Sequence, residues 1–576
     1  MRAQRPSGRA PCSPAWLLVL VGTVAALARA DELPVELQLG QKALRAGELA
    51  RLEKAAGPLA EQPLYRADLT VDVANRKVVG RVGVTWHVKG EPLDEVYLRT
   101  TPNAAHPEAV TLLNASVNGQ AALLEHPDAT LWRVKLPVEA VAGTAVQLEV
   151  RVQAKVPTAP AEQEPAADHG AFAAAADFVS LVGVLPMVPP VKGNGELFSP
   201  PSGMGDLSAF EPSSFMVSVS APRGFAVVMP GASLGEVPEP SGWVRFTSAI
   251  VGARDFPVFV AKGLERQAAT AGDVAVELWA RKGQPHARAV LEHATYAVKE
   301  LNRRLGPFPH ATFRVVEAPL SQGAGGMEFP GLVTVSRSLV SGASDPLEAL
   351  GLGHLATDPT VAALVGPLLK DLMRSSVELT VLHEVAHQYV ACLVGSDAVD
   401  EPVADEPLTQ HLALLLLEWR RGKKAANEVR EGQVKMAYRL WRMMGGGDSK
   451  ANRPTGDFAS STEYAGIVYG KAPLLFDAQR KLLGEDGWEK TLRAYVEQHR
   501  YRWVTSMTLT EVAGRQAPQH ARQLEGLRRR WLEETHGDED VGQLADVLSG
   551  GARPGAPMDA STMKLLEELR QQLGGE

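Results

Sequence analysis

Apolar and polar positions change period along the chain, and each change predicts a different kind of element. From Tyr65, YRADLTVDV and GRVGVTWHV alternate apolar with polar residues, the period-two pattern of strands that bury one face. LWRVKLPV, VQLEVRVQAKV, SFMVSVSAP, GFAVVMPG and WVRFTSAIV continue it to about residue 262, with Gly, Pro and Asn between them. Short strands punctuated in this way predict an all-β, sandwich-like domain over residues 63–265. Residues 31–62 read as a polar helical lead-in. The stretch 156–206, rich in Ala, Pro and Gly, predicts long loops.

Past Ala271 the pattern is mixed. VAVELWA and TFRVVEA read as strands. Between them ARAVLEHATYAVKELNRRLG has helical three–four spacing and is stopped by Gly306 and Pro307. LVTVS is a further strand. After about Ala362 nearly every segment is helical: 362–394, 408–420, 427–444, 470–484, 486–498 and 519–535. The expected architecture is multidomain. The β-sandwich-like domain precedes an α+β, mainly helical domain over 266–545, followed by a linker and a short helix, MKLLEELRQQL, within 546–576. A length of 576 residues, too great for one core, agrees.

The first thirty residues do not belong to this pattern. Arg2, Arg5 and Arg9 precede the apolar stretch AWLLVLVGTVAALA, and Ala28-Arg29-Ala30 offers a small-x-small cleavage site. Fourteen apolar residues, Ala15 to Ala28, fall short of the roughly 20 that span a bilayer. The expectation is a signal peptide over 1–30, export to a periplasmic or extracellular location, and no membrane span in the mature chain. Cleavage removes Cys12 and leaves Cys392 alone, so no internal disulfide is expected. The net charge of -8 is spread without long runs of one sign, so no nucleic-acid partner is expected.

Candidate chemistry sits in SSVELTVLHEVAHQYVACLVG, residues 375–395. Ser375 and Glu378 fit a capping box that starts a helix, and Gly395 fits its end. His383 and His387, one helical turn apart, would bring two imidazoles to one divalent ion. Glu384, one step round the helix, stands where a base must sit to take a proton from water activated by that ion. A chain of this composition would contain HExxH or HDxxH by chance about 0.04 times. Zinc needs a third protein ligand. Glu406 is nineteen residues past His387, across a polar loop, and Asp400, Glu401 and Asp405 are rivals that spacing alone does not exclude.

Here the chain resembles a known family. HEVAHQYV followed by Glu406 looks like the HExxH-x18-E signature of the zinc aminopeptidases that include membrane alanyl aminopeptidase and the leukotriene hydrolase/aminopeptidase. GGMEFPGLV at 325–333 is similar to that family's GAMEN strand, and VYGKAPLL at 468–475 to its YxKG segment. The resemblance runs from the strands near Tyr65 to RRRWLEETHGD at 528–538. It singles out Glu406 as the third zinc ligand beside His383 and His387, with one zinc per chain. It implies a thermolysin-like catalytic domain, Glu384 and Tyr469 as catalytic residues, and a substrate-binding segment of Gly325, Gly326, Met327 and Glu328. Glu328 would hold the free α-amine of a peptide substrate.

Several positions depart from the family pattern. Phe329 replaces the asparagine of GAMEN. Pro407 follows Glu406, and Val403 and Ala404 stand where a bulky pair is common, which predicts looser support around the ligand. Ala472 replaces a glycine. The family's second amine-binding acid has no evident counterpart in 156–206. A short chain of this type would also lack the large C-terminal helical domain of bigger members. The expected function is a zinc-dependent aminopeptidase; the alternatives are a peptide-binding pseudo-peptidase of the same fold and an endopeptidase.

Overall fold

A computed structural model describes residues 33–160, 168–207, 210–321, 324–342 and 376–542. The export segment, Ser375 of the capping box, the 362–375 part of the expected helix and the terminal MKLLEELRQQL lie outside these residues.

The N-terminal region is β-rich, as the alternation predicts. An eight-stranded sheet runs in the order Ala232–Glu239, Trp243–Ala253, Ser213–Pro222, Leu64–Asp72, Lys77–His87, Ala145–Lys155, Val110–Val117, Gln120–Ala122. Ala145–Lys155 shows how the sequence sets its face: Val146, Leu148, Val150, Val152 and Ala154 are buried and the residues between them exposed. A three-stranded sheet, Leu93–Arg99, Leu131–Ala140 and Leu124–Glu125, adds Val96, Leu98 and Val134 to the same core. Layered sheets sharing an apolar interior are the sandwich-like arrangement the short strands implied.

A five-stranded sheet follows, ordered Leu264–Ala271, Val274–Arg281, Thr312–Ala318, Leu332–Ser336, Gly326–Phe329. Its three central strands are parallel, and Gly326–Phe329 is an antiparallel edge strand. The helix Ala287–Leu305 buries Val290, Ala294, Ala297 and Leu301 in a core that also holds Val276, Val315, Val381 and Val385. The rest is helical. Glu406–Arg421 is buried along most of its length, and Leu474–His499 breaks at Gly484 (φ 74°, ψ 166°), where two helices were expected to meet. Thr508–Gln516 was not expected as a helix. No helix among the described residues is long and apolar enough to cross a membrane.

Two expectations need correcting. The 156–206 stretch is not all loop: it holds the strands Phe172–Ala175 and Phe178–Leu181 of a four-stranded sheet. The helix carrying HEVAH does not run to Gly395; it is regular over 376–386. Beyond that its bonds tighten, Gln388 N to Val385 O at 3.1 Å and Tyr389 N to Ala386 O at 3.0 Å, and Ala391 turns the chain with a left-handed φ of 75°. Gly395 instead starts the short strand Gly395–Ser396. A side chain there would collide with the guanidinium of Arg254. That guanidinium is buried, stacks over Trp503 at 4.4 Å and donates to the carbonyls of Phe210 and Arg502. Arg254 thereby ties the β-rich region to the helical one, beside the polar loop that leads to Glu406.

Candidate metal centre

The 376–386 helix presents His383 and Glu384 at its last turn, and His387 follows as the turn closes. All three are buried, at 8 %, 5 % and 1 % exposure, so polar atoms here are withdrawn from bulk water. The polar loop returns the chain to them. Asp405 caps the next helix, its Oδ1 accepting from Glu406 N at 2.6 Å and its Oδ2 from Ser396 Oγ at 2.8 Å. Glu406 is therefore the first residue of its helix, and Pro407 falls in the first turn, where its missing N–H costs nothing. The loop is well supported: Val403 and Ala404 are both buried.

His383, His387 and Glu406 converge. His383 Nε2 lies 3.1 Å from His387 Nε2 and 3.2 Å from Glu406 Oε2, and His387 Nε2 lies 3.5 Å from Glu406 Oε2. Three ligands held at about 2.0–2.1 Å around one tetrahedral ion would stand about 3.3 Å apart. The three residues form a group able to hold a single metal ion. The donor set fits too. His383 Nδ1 is bonded to Gln410 Oε1 at 2.8 Å and His387 Nδ1 faces Thr409 Oγ1 at 3.3 Å, which leaves both Nε2 atoms free to ligate. Glu406 Oε2 is buried without a hydrogen bond. Burial would raise the Glu406 carboxyl, but the two imidazoles beside it hold it well below the usual range.

The rival acids are occupied elsewhere. Asp400 pairs with Lys192 and accepts from Ser199 Oγ, Glu401 accepts from Ser506 N, and Asp405 is the cap.

Glu384 lies beside this triangle, with its carboxylate against the edge strand. Its Oε2 is buried and unbonded, and burial pushes its carboxyl up to about 8. An adjacent divalent cation would pull it back toward the range where a carboxylate serves as base at neutral pH. The strand Gly326–Phe329 comes so close that a Cβ on Gly326 would lie 2.5 Å from the Glu384 carboxylate carbon, and one on Gly325 would lie 2.9 Å from Thr380 Cγ2. These glycines let the strand approach the helix. Gln388 locks the approach: its Oε1 accepts from Gly331 N at 2.8 Å and its Nε2 donates to Phe329 O at 3.0 Å. Phe329 is buried against Phe259. Met327 and Glu328 are half-buried on this strand. Burial raises the Glu328 carboxyl first, and the charges of Glu384 and Glu406 raise it further.

Tyr469 arrives from the other side, on the π-helical turn Ala465–Lys471. Its hydroxyl donates to Glu406 Oε1, and its ring lies 5.9 Å from that of His383. Tyr464, five residues earlier in the chain, packs edge-on against it at 5.7 Å, and its buried Oη has no partner.

No family model matches the chain, and no curated protein matches it. Solved structures do. The M1 zinc metallopeptidase of Deinococcus radiodurans superposes with a TM-score of 0.57 at 19 % identity, over 82 % of this chain and 94 % of that one. A mutant of it matches with the same score at 18 % identity, over 83 % and 95 %. The mutant bound to a Tyr-Ser-Ala substrate matches with a TM-score of 0.54 at 18 % identity, over 82 % and 94 %. The fold is that of the M1 zinc metallopeptidases. Such a likeness places the β-rich region and the helical region in one known arrangement, and the chemistry is argued from the residues themselves.

Gln410, Thr409 and Gln388 were not picked out from sequence. Gln410 lies one helical turn past Glu406 and so on the same face, a spacing that could have flagged it. Replacing the partner of a ligating imidazole typically weakens metal affinity by about 10–100-fold. Gln410→Ala is expected to lose zinc affinity to that degree in competition with a chromophoric chelator, with the circular dichroism of the fold unchanged. Unaltered affinity would show that Gln410 does not orient His383.

Proposed function

We propose that this protein is a zinc-dependent aminopeptidase that removes the first residue from peptides. The observation that carries the reading is the triangle of His383, His387 and Glu406, with Glu384 on one side and the Glu328 strand edge beside it. Bound zinc would lower the pKa of water toward neutrality and polarise the scissile carbonyl. Glu384 is placed to take the proton from the attacking water and pass it to the leaving amine. Tyr469 turns its hydroxyl from Glu406 to the developing oxyanion. The edge strand Gly326–Phe329 offers free backbone groups on which an extended peptide can pair. Glu328, on that edge, receives the α-ammonium and limits the substrate to chains with a free N-terminus.

The related structure bound to Tyr-Ser-Ala supports a peptide as the substrate class. Export, read from the first thirty residues, places the proposed substrates outside the cytoplasm. The domain limits 63–265 and 266–545 are part of this proposal, the second as the catalytic unit.

The test combines metal analysis with aminoacyl-coumarin substrates and their N-acetylated counterparts. One zinc per chain with cleavage of free-amine substrates alone is expected. Equal cleavage of blocked substrates would make the protein an endopeptidase, and absence of bound metal in the purified chain would overturn the hydrolase reading altogether.

A further inference from the structure

The loop Ser202–Leu207, within the segment expected only to be loop, crosses from the β-rich region into the cleft. It is fastened at each step. Ser202 Oγ donates to Thr455 Oγ1 at 2.7 Å. Met204 packs on the apolar core of the helical region. Gly205, with φ 70°, lies on Tyr464, where a Cβ would stand 2.7 Å from the hydroxyl. Leu207 packs in the same apolar cluster as Met327 and Phe329. Asp206 lies between these two fastenings, half-buried, and Glu328 is the charge that bears most on it.

We propose that Asp206 selects substrates whose first residue is cationic, arginine or lysine. This deepens the aminopeptidase reading and rests on it. A substrate whose α-ammonium sits at Glu328, and whose first carbonyl sits at the metal, has its first Cα between the two. The side chain on that Cα must leave along the walls that Asp206, Tyr464 and Met327 form.

Charge points to the same occupant. The charges that bear most on Asp206 are those of Glu328, Glu406, Asp405 and Glu384, and those on Glu328 are likewise carboxylates. Asp405 spends its oxygens on the helix cap and Ser396. Asp206, Glu328, Glu384, Glu406 and Asp405 together bring five carboxyl groups to this region. One divalent ion and one α-ammonium supply three positive charges, fewer than the carboxyl groups present, so a cationic side chain is favoured there over a neutral or anionic one. Partial burial pushes the Asp206 carboxyl well above its usual range and these carboxylates push it further, and a cation placed beside it would lower it again. Tyr464 gives a second, independent sign. It is only 5 % exposed, and its Oη has no partner. A guanidinium carries five N–H donors in a fixed fork and can serve Asp206 and Tyr464 together. Met327 and Leu207 offer apolar surface to the alkyl stem.

Two measurements on the zinc-loaded protein decide the matter. The first is calorimetric binding of L-arginine against L-citrulline, its neutral isostere, in the wild type and in Asp206→Asn. A charge-assisted hydrogen bond to a half-buried carboxylate is worth about tenfold in affinity, so the wild type is expected to prefer arginine by about that factor and the variant to bind both within about threefold. The second is kcat/KM on arginyl, lysyl, leucyl and alanyl substrates. Asp206→Asn is expected to lower the first two about tenfold or more and the last two by no more than about threefold. A wild type that binds arginine and citrulline alike overturns the proposal. An equal loss on all four substrates also overturns it, since Asp206 would then be serving the α-ammonium. If N-acetylated substrates are cleaved as well as free ones, the aminopeptidase reading fails on its own, while the arginine–citrulline comparison still scores Asp206.

Discussion

Glu384→Gln is expected to bind zinc as the wild type does and to lose turnover by about 10²–10⁴-fold, the usual contribution of a positioned general base. The side chains are nearly the same size, so the close packing against Gly326 survives. Glu384 is not one of the three converging ligands, and its Oε2 faces no donor that an amide would offend. What the amide cannot do is accept a proton. The loss should therefore appear in kcat, with KM for a free-amine substrate close to wild type. Metal content by mass spectrometry and single-turnover kinetics separate the outcomes. Retained turnover would place the base elsewhere in the cleft, and loss of zinc together with turnover would mean that Glu384 supports the metal.

His383, Glu384 and His387 could be placed from helix geometry alone, because one turn fixes where each points. Glu406 could not. It was one of four acids on a loop of undefined path, and only the spacing of a resembling family chose it. The structure supplies the physical reason for that choice: Asp405 spends its carboxylate on the helix cap, Asp400 faces Lys192 and Glu401 holds Ser506, leaving Glu406 alone to reach the imidazoles. Alternation also placed the β-rich region, since each strand there buries one face.

What stayed hidden has physical causes as well. The helix tightens after Ala386, and Ala391 then turns the chain in a left-handed conformation that a non-glycine residue rarely adopts, a turn that the glycine at 395 does not mark. Thr508–Gln516 has only nine residues, too few for a convincing period. Asp206 sits in a stretch with no periodicity at all. Its position depends on the fastening of Ser202 and Met204 to the helical region and of Leu207 to the cluster of Met327 and Phe329.

Tyr469→Phe tests the other side of the cleft. Removing one preorganised oxyanion donor costs about 10²–10³-fold in kcat. Tyr469 is on a π-helical turn, a distortion that re-aims a side chain at some cost to the helix and is frequent at functional sites. Its hydroxyl rests on Glu406 Oε1, so in the free protein it is already within reach of the ligand set. The same contact creates a competing explanation: phenylalanine leaves Glu406 short of a donor and could loosen the metal instead. Zinc affinity decides between them. A kcat loss of the expected size at unchanged zinc affinity and nearly unchanged KM assigns Tyr469 to the transition state, whereas a parallel loss of affinity assigns it to holding Glu406. Tyr464→Phe is the control. Its Oη has no partner and touches neither imidazole nor Glu406 by a hydrogen bond, so it should retain most of its kcat on alanyl substrates. If Tyr464→Phe shows the larger kcat loss and Tyr469→Phe stays within about threefold of wild type, the oxyanion donor is Tyr464 and the assignment taken from the YxKG resemblance is wrong.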